Sequence, residues 1–151
     1  MNGLRSAADR TGHFAQQPWM WGVFTLLLAL GGPRGRRAAT RGSLCYLSAG
    51  VVANLLIKPL VRRPRPPEVR RKGLGPLTSS FPSGHATTDV AYCFGAAQEM
   101  PALFFPLGAA AALAHWSLVR SRGHYLSDVW PAGFIGIATV WLVSRLWPPR
   151  T

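Results

Sequence analysis

The sequence predicts an all-α integral membrane bundle of about five transmembrane helices, and three observations carry that expectation. Of the 151 residues, 48% are apolar and only 15% are charged. The apolar residues gather in long runs, leaving too few polar side chains to coat the outside of soluble helices. Arginine-rich connectors separate the runs, so Lys and Arg number 17 against 5 Asp and Glu, for a formal net charge of +12. The apolar content excludes a disordered chain. A nucleic-acid binder carries charge throughout, whereas here the basic residues divide between the two ends of the predicted helices, so no nucleic-acid partner is expected. A single membrane-embedded domain over 1–151 is the expected organisation.

Residues 1–17 do not read as a cleaved signal peptide, because the apolar run starts late and no small-residue cleavage pattern follows it. They are expected to be retained, with Leu4, Ala7, Ala8 and Phe14 on one side of an interfacial helix. The five apolar stretches are 18–32, 43–57, 86–98, 102–119 and 129–147. Most are shorter than the roughly 20 residues that cross a bilayer core. The third becomes adequate if its helix starts at Ser83, with Pro82 ahead of it as a start signal. Only Glu99, Met100 and Pro101 separate the third and fourth, which forces a tight hairpin. Trp19, Trp21, Trp130 and Trp147 lie near span ends, where amphipathic rings favour the interface. Cys45 and Cys93 each sit inside an apolar stretch and are expected to serve packing, with no disulfide framework and no metal.

Threading five helices back and forth places the connector 33–42, the Glu99 hairpin and the C-terminus on one face. The N-terminal segment and the connectors 58–82 and 120–128 then lie on the other, and every polar cluster of interest falls there. The raw distribution of Lys and Arg would make that second face cytoplasmic. Basic residues held for anion chemistry do not belong in that count, and without them the excess largely disappears.

The first cluster, KPLVRRPRP, sets Lys58 and Arg65 at the exit of a span stiffened by prolines 59, 64 and 66. A compact ammonium and a planar guanidinium suit a phosphate-like oxyanion; a juxtamembrane patch for anionic lipid would use the same residues. The second, SSFPSGHATTD, opens a helix at Ser83 and Gly84, whose amides and positive helix end receive an anion, with His85 beside them to move a proton. A serine cap with an interfacial histidine is the bland alternative. The third, RSRGHYLSD, spaces His124 and Asp128 four apart. If the helix starts near His124 they share a face, and the carboxylate then holds one imidazole nitrogen while the other is directed and basic. Such pairs also arise by chance, and the weight of this one comes from the other two clusters on the same face.

The ordered pattern K-x6-RP, PSGH and H-x3-D resembles the type 2 phosphatidic acid phosphatase superfamily, which includes vanadium haloperoxidases and bacterial acid phosphatases. Lys58 with Arg65 and Pro66 fits the first motif, Pro82 to His85 the second, and His124 with Asp128 the end of the third, so the likeness runs over about half the chain. The resemblance implies a phosphatidic acid phosphatase type 2-like helical membrane fold and metal-independent hydrolysis of a phosphate ester or anhydride, with no cofactor. By position it implies His124 as nucleophile, Asp128 as its orienter and His85 as general acid. Lys58, Arg65, Ser83 and the Gly84 amide would hold the phosphoryl oxygens. The implied partners are a lipid phosphate and the membrane itself, the implied location the plasma membrane with the site on the extracytoplasmic side. One departure is plain: the family's third motif has Ser-Arg where this chain has Ser117 and Leu118. On a continued helix Arg122 would share the face of residue 118 one turn on, which makes it the expected substitute, with Arg120 pointing elsewhere.

The substrate expected is a lipid-linked phosphate or pyrophosphate of polyprenyl or glycerophospholipid type. Phosphotransfer to another acceptor through the same intermediate is an alternative, as is a non-catalytic lipid-binding member, which Leu118 suggests and His85, His124 and Asp128 oppose. Asp89, one turn after His85, is expected either to pair with it or to bond across to another helix, and His115 to be a packing residue. His13 has no readable partner.

Overall fold

The computed structural model describes residues 18–67, 79–120 and 122–150, and these form helices with no strand among them. Five helices follow in order: α1 (Pro18–Leu30), α2 (Gly32–Val61), α3 (Gly84–Glu99), α4 (Phe104–Arg120) and α5 (Leu126–Leu146). Helices α2 and α5, and α4 taken with the short turn before it (Pro101–Arg120), are long and apolar enough to cross a membrane, and α1 is a shorter apolar helix. The interfacial helix expected within 1–17, and His13, lie outside the described residues.

Helix α2 differs from expectation. The connector foreseen at 33–42 is the first part of α2, and only Gly31 separates it from α1, the turn being completed by Gly32 at the start of α2, whose φ of +82° suits glycine. Small residues explain the difference. Ala38, Gly42, Cys45, Ala49 and Ala53 recur at helical spacing and are buried, so the helix continues wherever α3 can lie against it. A Cβ on Gly95 of α3 would come within 2.8 Å of the Cys45 sulfur, and one on Gly42 within 3.1 Å of the Tyr92 ring. Between Val52 and Ile57 the helix widens into a π segment before resuming at Lys58, a device that re-aims the residues beyond it.

Helix α3 is the central element, contacting α2, α4 and α5. Its carbonyl at Thr87 leaves so little room that a Cβ on Gly136 of α5 would sit 2.6 Å from that oxygen. Thr25 of α1 bonds the Tyr92 hydroxyl at 2.9 Å, and Trp21 packs on Tyr92 with ring centroids 4.9 Å apart. Trp21 is therefore core, not interface, because it lies on the side of α1 that meets Tyr92. Trp19 and Trp130 are exposed as expected. Leu60, Phe105, Phe134 and Leu146 point outward, as side chains facing lipid do. Cys45 and Cys93 are both free and buried.

At one end of the bundle Arg41, fully buried, donates from Nε to Glu99 Oε1 at 2.8 Å and from Nη2 to the Trp147 carbonyl at 2.8 Å. The start of α2, the α3 end and the C-terminal segment thus share one face, as the threading requires. The second face gathers the described parts of the connectors 58–82 and 120–128.

Candidate active site

Three segments converge on the second face, and backbone hydrogen bonds tie them together. The Arg63 N–H donates to Ser79 Oγ at 2.9 Å, and the Ser80 N–H donates to the Arg63 carbonyl at 2.9 Å. The Ser83 N–H donates to the Asp128 carbonyl at 3.0 Å. The run KPLVRRPRP is thereby fastened to the segment before α3, and that segment to the start of α5.

Ser83 caps α3: its extended backbone and its Oγ, which accepts the Ala86 N–H at 3.4 Å, begin the helix at Gly84. Lys58 donates from Nζ to Asn54 Oδ1 at 2.6 Å. A Cβ on Gly84 would meet that same Nζ at 3.2 Å and Asn54 Oδ1 at 3.0 Å. Lys58 is therefore held against the first turn of α3, where the helix dipole and the ammonium add positive potential at one spot. His85 follows Gly84 and is exposed on that turn, making no hydrogen bond to the other described site residues.

The third motif is arranged differently from expectation. Helix α5 starts at Leu126, so His124 precedes it. The Tyr125 N–H donates to Asp128 Oδ2 at 3.0 Å and the Asp128 N–H to the Tyr125 carbonyl at 2.9 Å, which closes the first turn after the histidine. The two side chains still meet: His124 Nδ1 lies 3.6 Å from Asp128 Oδ2, both groups being buried.

Arg65 Nη1 stands 3.3 Å from His124 Nε2. A guanidinium has only donors, so this contact makes Nε2 the acceptor and leaves the ring proton on Nδ1, facing Asp128. Burial first, and then the Arg65 charge, push the His124 pKa down to about 4, against the pull of Asp128. The ring is neutral at physiological pH, its lone pair on the nitrogen beside the arginine. Two buried donors, Arg65 Nε and His124 Nδ1, have no hydrogen-bond partner. A buried charged donor without an acceptor is costly, and an oxyanion beside Nε2 would satisfy it.

Asp89 does not pair with His85. Its Oδ2 lies 3.5 Å from Nε2 of His115 on α4, the helix-to-helix alternative, because α4 packs on that side of α3. Helix α4 ends at Arg120, and Arg122 lies in a turn with φ +53°, so the continued helix that would carry its side chain to the slot of Leu118 is not formed. The Arg122 N–H donates to the Val119 carbonyl and the Gly123 N–H to that of Leu118, an ending in which Arg122 itself takes the left-handed position that glycine usually fills. Arg120 lies over the Trp116 ring.

Two residues at the site escaped the sequence reasoning. Asn54 lies four before Lys58, an ordinary helical contact spacing. Arg63 donates to Asp128 Oδ1 at 2.7 Å. Its signal was present in RRPRP, because prolines keep that run extended and bring residues two apart to one side.

Sequence comparison matches residues 39–151 to the model of the PAP2 superfamily. Decaprenylphosphoryl-5-phosphoribose phosphatase, in two strains of Mycobacterium tuberculosis, is 36% identical over 103 residues, covering 66% of this chain and 58% of that protein. The likeness thus spans less than two thirds of the length of these curated relatives. Among solved structures, the crystal structure of a transmembrane PAP2 type phosphatidylglycerolphosphate phosphatase from Bacillus subtilis superposes with a TM-score of 0.55 at 21% identity, covering 97% of this chain and 87% of that one.

Proposed function

The chain belongs to the PAP2 superfamily, and on that premise we propose that it hydrolyses a lipid-linked phosphate or pyrophosphate through a phosphohistidine intermediate, without a metal ion. The observation that carries this proposal is the neutral His124, its Nε2 lone pair 3.3 Å from the guanidinium of Arg65, whose buried Nε lacks an acceptor. A phosphoryl group placed there meets a nucleophile and a cation together.

In the first step Nε2 of His124 bonds to phosphorus, the bond from phosphorus to the lipid oxygen breaks, and that oxygen takes a proton from His85. The imidazole becomes cationic as it bonds, and Asp128 stabilises it through the Nδ1 proton, the 3.6 Å contact tightening on the way. In the second step His85 takes a proton from water, the oxygen attacks phosphorus, the N–P bond breaks and phosphate leaves with His124 neutral again. Charge on the equatorial oxygens is met by Lys58, Arg65 and the helix start at Ser83 and Gly84. These fixed donors supply what a metal supplies elsewhere, and no group of three or more His, Cys, Asp or Glu that could hold one occurs among the described residues. Arg122, in the turn two residues before His124 and off the helix that carries Leu118, is proposed to add its charge to the phosphoryl group from that turn, as a substitute for the arginine absent at Leu118.

The similarity to a phosphatase named for a decaprenylphosphoryl-phosphoribose favours a polyprenyl-linked sugar phosphate over the glycerophospholipids. We place the whole chain in one membrane-embedded domain, in the plasma membrane with the site extracytoplasmic.

The test is phosphate release by the purified full chain in detergent across polyprenyl phosphate, polyprenyl pyrophosphate, a polyprenyl-phosphosugar phosphate, phosphatidate and phosphatidylglycerophosphate. Turnover should survive EDTA, fall with orthovanadate, and vanish in His124→Ala together with trapping of radiolabelled phosphate on the protein. Activity lost to EDTA and restored by Mg²⁺, or full activity in His124→Ala, overturns the mechanism.

A further inference from the structure

We propose that Arg63 is a positioning residue of this site, whose guanidinium orients the Asp128 carboxylate and shares its charge, so that Asp128 aligns His124 without fully transmitting its negative charge to the ring. The proposal rests on the reading of His124 as nucleophile.

The geometry is specific. Arg63 Nη1 donates to Asp128 Oδ1 at 2.7 Å and to Ser127 Oγ at 2.9 Å. Its guanidinium lies over the Tyr125 ring, 4.5 Å from the centroid. The two oxygens of Asp128 are thus divided: Oδ1 takes the guanidinium, while Oδ2 takes the Tyr125 N–H and faces Nδ1 of His124. A carboxylate fixed at one oxygen by an arginine and at the other by a backbone amide cannot rotate, and the imidazole it faces is held in turn.

The electrostatic consequence follows from the charges around His124. Arg65 faces its Nε2 and Lys58 adds positive charge, while Asp128 is the anion that favours the protonated ring. Arg63 sits on the far side of Asp128 and neutralises part of it. Without that cation, Asp128 would draw a proton onto Nε2 and occupy the lone pair that attacks phosphorus. The backbone of Arg63 ties down Ser79 and Ser80, and any substituted side chain keeps those bonds. Side-chain variants therefore isolate the role at Asp128.

The experiment compares Arg63→Gln, Arg63→Lys and the neighbouring Arg62→Gln as a control for net charge, in the full chain. Arg63→Gln should lower kcat by about tenfold or more with KM changed far less, and move the acid limb of the pH profile up by about one unit. Arg63→Lys should restore the limb by restoring the charge, yet recover kcat only in part, because an ammonium cannot lie over the Tyr125 ring as the planar guanidinium does. Arg62→Gln should leave both unchanged. Wild-type kcat and limb in a folded Arg63→Gln overturn the proposal. Should Arg63→Gln fail to fold, Arg63→Lys decides: kcat equal to wild type overturns it, and a loss at unchanged limb supports it. If the wild type releases phosphate from no substrate, the proposed function fails instead, and histidine-ring NMR of His124 in the two proteins still judges Arg63. An upward titration shift in Arg63→Gln supports the role, and no shift overturns it.

Discussion

Arg65 Nη1 lies 3.3 Å from His124 Nε2, a contact that a protonated imidazole could not accept. Burial and this arginine hold the His124 pKa down to about 4. The nucleophile proposed above is the neutral ring, so on that proposal it is available above that value and lost as pH falls through it. The acid limb of kcat/KM is therefore expected near pH 4, well below the ordinary histidine value of about 6.5. A pH profile on the wild type checks this, and a limb at the ordinary value counts against a buried His124 as nucleophile.

Gly84 is where a single methyl group should matter. A Cβ there would crowd Asn54 Oδ1 at 3.0 Å and Lys58 Nζ at 3.2 Å. Because residue 84 is already helical, alanine is compatible with the backbone and the protein should fold. The displaced ammonium should lower kcat/KM by about tenfold or more, the scale of one charged hydrogen bond. Unchanged kinetics in Gly84→Ala would place the phosphoryl group away from the α3 start.

The missing arginine at Leu118 leaves two neighbours to compare. Arg120 rests over Trp116 at the end of α4, whereas Arg122 stands in the turn leading into His124. Arg122→Ala is expected to reduce kcat/KM by at least about tenfold, and Arg120→Ala by less. The reverse ranking makes Arg120 the substitute, and normal activity in both leaves Lys58 and Arg65 as sufficient.

The opposite face supplies a stability test. Arg41 and Glu99 are both withdrawn from solvent, and the pair is 2.8 Å apart. Glu99→Ala leaves the guanidinium buried without its anion, and removing one member of such a pair typically costs about 3–5 kcal/mol. The melting temperature in detergent should fall clearly, with activity of the remaining folded protein near normal. The double variant Arg41→Met with Glu99→Met should lose less than Glu99→Ala, since it leaves no orphaned charge. Equal melting of Glu99→Ala and wild type would show that the pair contributes nothing.

By itself the sequence determined the helical membrane class and marked out, in order, the three polar segments that the fold brings to one face: Lys58 and Arg65, Ser83 to His85, His124 and Asp128. Hydropathy and motif spacing are properties of neighbouring residues, so they survive in one dimension. The cap at Ser83 was legible for the same reason, being set by residues within one helical turn. Tertiary structure alone decided that Asp128 takes Arg63, that Asp89 meets His115 instead of His85, and that Arg41 is buried against Glu99. It also decided that 33–42 is helix, because its proline, two glycines and arginines read as a connector until α3 packs on the small residues there. These pairings join residues far apart in the chain, and they depend on which helix faces lie together and how closely small residues let them approach. A hydropathy pattern records that a residue is buried; only the packed helices determine what it is buried against.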